Sequence, residues 1–482
     1  MKNHLSRFML CALGPLALTL SFLPPPDGMA VEAWRLVPLA LWMAVWWASE
    51  AVPVAVTALL PLVYLPAAGI ADFRAAARPF AEPVIFLLMG GFLMAQGLTR
   101  WELHRRFALA VVDRMGRNPR LLALGFMTAT AALSMWISNT ATTLMMAPIA
   151  LSVAHTVLGD RARGHPFAIA LLLGVAYAAS IGGLGTKIGT PPNAFVVGFL
   201  EETAGIEISF LGWMLYALPV VTLLVPAAWW LLNHALYRYD AAELAAAHGV
   251  VRGMRLQLGR MTPAERRVAT VFALVALLWA TATLWRRIPP LAPLGDAWIA
   301  IFGAVLMFVI PSGMRRSRAH ADGRLLDWAH AARIPWGVLL LFGGGLSLAR
   351  AIEQTGLAVW LGRQLEPLAA ADPLFVVLGI VTLVIFLTEL TSNTATVAAL
   401  VPVVTALSTA PGVEIPPVLL AAPLAMAGSC AFMLPVATGP NAIVYASGDL
   451  TVAQMARAGF WLNLVGIVVI TAVSLLLLPR LF

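Results

Sequence analysis

This chain reads as an all-α polytopic membrane protein, and three observations say so. Of its 482 residues 61% are hydrophobic and 11% are charged, where a soluble domain carries about a quarter charged residues. Apolar runs recur along the whole length, many near the ~20 residues with which a helix crosses a bilayer. The runs are continuous and do not alternate, which argues for helices against a transmembrane β-barrel. The net charge of +8 is gathered in short clusters between apolar runs. That is the pattern of topology setting by basic inner loops, and it disfavours a nucleic-acid partner. Cys11 and Cys430 both lie in apolar runs and suggest neither a disulfide framework nor a metal site.

The elements follow in order. Residues 8–23 form the first expected span; Pro24-Pro25-Pro26 ends it with no small-residue cleavage site, so it is read as a transmembrane helix and not as a signal peptide. Residues 33–66 form two more spans, broken near Pro53, and 82–99 a fourth. A basic stretch follows with Arg100, Arg105, Arg106, Arg114, Arg117 and Arg120. Two apolar arms, 121–137 and 141–157, then flank Ser138-Asn139-Thr140. Each arm is short for a full crossing. A polar turn between short arms predicts a re-entrant hairpin, whose tip is tolerated at membrane depth only where protein or water surrounds it. Arg161 and Arg163 then lie on the side the chain left.

A helix from about 166 runs into Gly182, Gly183, Gly185, Gly189, Pro191 and Pro192, which break it; it resumes at Ala194. The acidic loop with Glu201, Glu202 and Glu207 falls outside. Residues 210–236 cross back to a basic loop with Arg238, Arg252, Arg255, Arg260, Arg266 and Arg267. Spans at 268–285 and 297–312 lead to Arg315, Arg316, Arg318, Arg324 and Arg333. Basic loops inside and the amino terminus inside give a consistent alternation, except that Arg286 and Arg287 fall outside. The second half has a span at 337–350, a second hairpin over 373–409 with Ser392-Asn393-Thr394 at its turn, a second broken helix over 417–446 and a last span at 457–479.

The chain repeats itself. SNTAT occurs at 138–142 and at 392–396, and a glycine pair precedes each at the same interval: Gly90 to Ser138 and Gly344 to Ser392 are both 48 residues. Each is followed by a Thr-x-Pro-Asn phrase, Thr190 to Asn193 and Thr438 to Asn441. Under the alternation above, the two halves run oppositely across the membrane. An inverted repeat with paired broken helices marks a secondary transporter with a midplane site between the repeats. The four polar islands hold hydroxyls, amides and backbone groups and no carboxylate of their own. Such groups donate to carboxylate oxygens, hairpin tips offer helix N-termini to anions, and unwound carbonyls suit sodium. The site is thus built for an anion accompanied by cations. No HExxH, GxSxG, paired acids or metal-ligand cluster suggests an enzyme.

The phrases SNTATT, IGTPPN, FLTELTSNTAT and MLPVATGPNAIVY, with SEAVP near Glu50, resemble the divalent anion–sodium symporter family over nearly the whole chain. These are transporters of succinate-like dicarboxylates and, in some members, of citrate or sulfate. The resemblance implies about eleven spans plus two re-entrant hairpins, a scaffold that forms a homodimer, and a transport domain that moves like an elevator. It divides the chain into scaffold helices at 1–81, a first repeat at 82–208, scaffold helices and cytoplasmic loops at 209–334, a second, inverted repeat at 335–456, and a final helix at 457–482. It implies a first sodium site at Ser134, Ser138, Asn139 and Gly189 and a second at Thr388, Thr391, Asn393 and Ala437, with Thr391 and Ala437 giving main-chain oxygens. The substrate carboxylates would meet Asn139 and Thr140 on one side and Asn393 and Thr394 on the other, with Thr190, Pro191, Thr438 and Gly439 completing the pocket.

The expectation is therefore a sodium-coupled dicarboxylate symporter of the bacterial cytoplasmic membrane, surrounded by lipid. A sodium-independent dicarboxylate exchanger and a tricarboxylate or sulfate symporter are the alternatives. Lys187, one of two lysines in the chain, lies inside GLGTKIGT beside the first sodium set. Three roles are open to it: snorkelling to an interface, balancing the dianion, or standing in for a sodium ion. Glu389 is read as a structural pair or hairpin cap, Glu50 as a scaffold acid, and Trp42, Trp46 and Trp47 as interfacial, lipid-facing aromatics.

Overall fold

The computed structural model describes residues 11–12, 14–116, 118–244, 246–314, 323–364, 372–409 and 415–482. The start of the expected first span, with Lys2, His4 and Arg7, lies outside the described residues, as do Arg117, Arg315, Arg316, Arg318 and His320. Helices are the regular elements of the described residues. Six of them are long and apolar enough to cross a membrane: Pro83–Arg100, Asn139–Ala162, Pro166–Gly183, Phe210–Leu236, Trp336–Gln354 and Val452–Leu481. Shorter apolar helices lie between them.

The chain opens with α1 (Val31–Ser49) and α2 (Val54–Ala67). The first repeat holds α3 (Pro83–Arg100), α4 (Leu103–Arg114), the helix pair α5 (Pro119–Ser134) and α6 (Asn139–Leu158), and the interrupted pair α7 (Pro166–Gly183) and α8 (Pro191–Ala204). Next come α9 (Phe210–Trp230), α10 (Ala247–Gln257), α11 (Pro263–Ala280) and α12 (Asp296–Val309). The second repeat holds α13 (Trp336–Gln354), α14 (Leu357–Gln364), the pair α15 (Pro373–Thr388) and α16 (Asn393–Thr405), and the interrupted pair α17 (Pro417–Ala427) and α18 (Gly439–Ala446). The chain closes with α19 (Val452–Leu481).

Local chemistry sets the helix starts. Asn118 and Asp372 accept backbone N–H bonds at the starts of α5 and α15, with proline in the first turn of each. The duplication shows in the packing. α5 lies on α6 and α15 on α16, and the pairs are exchanged between halves: α6 packs against α18 and α16 against α8. α7 is sheathed on all sides, with every residue from Phe167 to Gly183 buried. The matched glycines permit close backbone approach. A Cβ on Gly90 would lie 2.5 Å from the Ala300 carbonyl carbon in α12, and one on Gly344 would lie 2.0 Å from the Ala58 oxygen in α2.

The basic loops that the alternation placed on one side touch one another. Arg106 bonds Glu265 at 2.8 Å and the carbonyls of Leu258 and Gly259, Arg100 pairs with Asp327 at 2.8 Å, and Arg120 reaches the Tyr239 carbonyl. Arg286, the exception in the alternation, bonds Glu207 of the acidic loop at 3.3 Å. Two expectations need correction. The second arm of the first pair is no short arm: α6 runs for 20 residues, through Pro148, and stops only at Gly159, whose φ of 58° no helix continues. Trp47 is buried at 1% exposure and donates to the Val54 carbonyl, since Leu36, Leu39, Met43 and Trp47 share the packed face of α1.

Candidate functional site

The two SNT phrases stand at the junctions of the helix pairs. Ser138 caps α6 and accepts from Ala141 N; Ser392 holds the same place before α16 in extended conformation. One turn upstream, a hydroxyl braces each asparagine: Ser134 Oγ donates to Asn139 Oδ1 at 2.8 Å, and Thr388 Oγ1 donates to Asn393 Oδ1 at 2.6 Å. Both braces are fully buried. The bonds fix the carboxamide direction and leave lone pairs on both oxygens. Thr391 Oγ1 pairs with Thr396 at 2.6 Å and donates to the Leu387 carbonyl, so its hydroxyl is occupied.

The interruptions match in the same detail. Thr190 caps α8 with φ −141° and ψ 142°, and Thr438 caps α18 with φ −141° and ψ 153°. Three residues on, each asparagine amide clamps the unwound segment. Asn193 Nδ2 donates to the carbonyls of Gly183, Leu184 and Thr186; Asn441 Nδ2 donates to those of Ala431 and Leu434. The bonds to the carbonyls ten and seven residues upstream are equivalent in the two halves, and the bond to Leu184 is found in the first half alone. The halves meet where Thr190 and Ser429 hydroxyls lie 3.3 Å apart and where Gly439 faces Thr140. A Cβ on Gly439 would lie 2.3 Å from Thr140 Oγ1, and one on Gly183 would lie 2.3 Å from Asn139 Oδ1. Glycine is needed at both for the tips to seat.

These parts surround one cavity of about 730 Å³. It is lined by Ser138, Asn139, Thr140, Gly189, Thr190 and Pro191 of the first half and by Thr391, Asn393, Thr394, Ala437, Thr438 and Gly439 of the second. Ser134 and Thr388 stand behind it. Ser392, Ile188, Val436 and Pro440 also line it and were missed by sequence reasoning, although symmetry with Ser138 points to Ser392. Phe92 and the Ser49-Glu50 turn close the wall from outside the islands. Glu50 has φ 47°, the left-handed region, and is exposed. Its place in the wall is added to its expected scaffold role. The SEAVP phrase marked that turn; nothing in the sequence said which surface it faced.

A family model described as the sodium:sulfate symporter transmembrane region matches residues 2–481. The chain belongs to this symporter family. Among curated relatives of this symporter-family chain, the sodium-dependent dicarboxylate transporter SdcS of Staphylococcus saprophyticus is 40% identical over 97% of this chain and 90% of its own length. SdcS of Staphylococcus aureus is 41% identical over the same shares. Two solved transporters share the fold. MtrF of Neisseria gonorrhoeae has a TM-score of 0.57 at 11% identity, covering 90% of this chain and 96% of its own. YdaH of Alcanivorax borkumensis has a TM-score of 0.51 at 15% identity, covering 82% and 84%.

The structure places two charged residues of this family member, Lys187, whose role the sequence left open, and Glu389. Lys187 does not line the cavity: its Nζ bonds Asp296 Oδ2 at 2.7 Å and is 4% exposed. Arg286 holds the other oxygen of Asp296 at 3.0 Å. The Lys187 ammonium thus serves the start of α12. Glu389, expected as a structural pair or cap, accepts main-chain N–H bonds from the second interruption.

Proposed function

We propose that this protein is a secondary transporter that moves a small dicarboxylate of the succinate, malate or fumarate kind together with sodium across the bacterial cytoplasmic membrane. The observation that carries the reading is the single cavity on which both SNT tips and both Thr-x-Pro-Asn caps converge. The names of the 40–41% identical relatives, sodium-dependent dicarboxylate transporters, support it.

Asn139 and Thr140 present an amide and a hydroxyl to one carboxylate, and Asn393 and Thr394 to the other. Thr190, Pro191, Thr438 and Gly439 form the floor. Both tips are helix N-termini, whose free N–H groups favour anions. Sodium as cargo has matching donors. The first set joins the oxygens of Ser134, Ser138 and Asn139 with the Gly189 carbonyl, and the second those of Thr388 and Asn393 with the Thr391 and Ala437 carbonyls. The chemistry fits: every donor is a hard, neutral oxygen, and Ser134 and Thr388 already aim the two carboxamide oxygens.

Charge explains the coupling. Transferring an ion into low dielectric costs several kcal/mol even after relaxation, so a bare dianion does not cross with a moving domain. Sodium cancels that charge and draws each hairpin tip onto its interrupted helix. The pairs α5–α6 and α15–α16 are read as re-entrant hairpins among about eleven spans, the halves as inverted, and α5 to α8 with α15 to α18 as the moving body. α1 and α2 with α9 to α12 form the scaffold by which two copies associate. Uptake of labelled succinate, citrate and sulfate into proteoliposomes, with and without a sodium gradient, tests the substrate class. Dicarboxylate uptake with little competition from the other two is the expected result; sulfate or citrate uptake with dicarboxylates inert would overturn it.

A further inference from the structure

The two halves differ at one position that faces the interruptions. Ser134 and Thr388 are equivalent, and the next residues are Met135 and Glu389. In the first half the Thr186 hydroxyl ties the unwound segment to the Met135 carbonyl at 2.5 Å, and tight turns engage the amides of Leu184 and Gly185. In the second half a carboxylate does this. Glu389 Oε1 accepts from Phe432 N at 2.7 Å, Met433 N at 2.9 Å and Asn463 Nδ2 at 2.8 Å. Its Oε2 accepts from Met433 N and Leu434 N at 3.1 Å each. The residue is 3% exposed.

Every contact named for this carboxylate is a neutral N–H, and no ion pair to it is present among the described residues. A buried charge held by hydrogen bonds alone is costly unless a counter-charge joins it. Its neighbours in the chain point to where that charge sits. Thr388, one residue before, bonds Asn393 and the Gly428 carbonyl. Leu434, at the far end of the nest, accepts the Ala437 N–H at 3.2 Å and an Asn441 amide bond. Glu389 thus stands behind both walls of the second oxygen set.

We infer that Glu389 is a positioning residue for the second sodium. It holds residues 432–434 so that the Ala437 carbonyl faces Asn393, and it supplies the negative charge that a cation there neutralises. In the first set Met135 holds the equivalent place, so the two are unequal and the second has the higher sodium affinity. This rests on the sodium-coupled reading above.

The test compares the full-length protein with Glu389→Gln, which keeps the shape and removes the charge. The readouts are the sodium-dependent rise in Tm without substrate, with potassium holding ionic strength constant, and the sodium activation of dicarboxylate uptake. A unit charge acting over a partly buried distance predicts about a tenfold higher half-saturating sodium in Glu389→Gln in both readouts. KM for the dicarboxylate at saturating sodium stays within about twofold, because Glu389 does not line the cavity. An unchanged sodium half-saturation overturns the inference. Should Glu389→Gln yield no folded protein, Asn463→Ala carries the test. It removes one donor from the same oxygen and leaves its charge less offset, which predicts about threefold tighter sodium binding; no shift overturns it. A wild-type protein without any sodium response would instead refute the transport reading.

Discussion

At the scale of residues, the account turns on two asparagines held by two buried hydroxyls. Ser134 and Thr388 occupy the same place in the two halves and bond Asn139 and Asn393 in the same way. Their role as braces was legible only as a matched position one turn before each SNT. Asn139→Ala or Asn393→Ala is expected to abolish uptake, about a hundredfold or more for a loss of preorganised polar contacts. Each is expected to leave a folded protein, because both asparagines line the cavity and are only half-buried; uptake paired with size-exclusion profiles checks both halves. The islands were readable because a Ser-Asn-Thr run in apolar surroundings is costly without a partner. Glu50 and Phe92 were not readable as wall residues, since their surface is set by how α1 and α3 pack and not by any local pattern.

At the scale of elements, the interruptions and the ties that hold them do most of the positioning. Their existence followed from glycines and prolines that no helix continues through. The destination of Lys187 did not, because Asp296 lies on a helix 109 residues away. The pairing predicts that Lys187→Met leaves half-saturating sodium within about twofold in uptake assays, and that its effect on Tm is non-additive with Asp296→Asn, as for residues in contact. A tenfold change in sodium requirement would restore Lys187 as a cation surrogate. A second tie lies in the basic loops. Burial pushes the Glu265 carboxyl up, but bonds from Arg106 and Thr262 outweigh it and hold the group below the usual carboxylate range. A carboxyl whose pKa is lowered on folding stabilises the fold above its unfolded value of ~4.3 and loses that contribution as pH falls through the folded value. The Tm of Glu265→Gln should therefore lie a few degrees below wild type at pH 7, and the gap should close as pH approaches 3. A gap independent of pH would show that the carboxylate's charge is not what matters there.

At the scale of the whole molecule, the duplication organises both fold and site. Its register was visible in the equal intervals from Gly90 to Ser138 and Gly344 to Ser392, and the structure gives those glycines matching tasks against Ala300 and Ala58. The exchange of partners, with α6 on α18 and α16 on α8, was not visible, because long-range packing leaves no local periodicity. That exchange brings one tip and the opposite interruption together, so a ligand in the cavity there would touch both halves at once. The account's central claim is that sodium drives the dicarboxylate through this junction. The most direct measurement is uptake of labelled succinate into proteoliposomes that contain no internal dicarboxylate, under an inward sodium gradient with potassium as the control cation. The account predicts accumulation above the external concentration with sodium and none with potassium. Uptake that ignores sodium and appears only after internal loading with unlabelled dicarboxylate would contradict it and identify an exchanger.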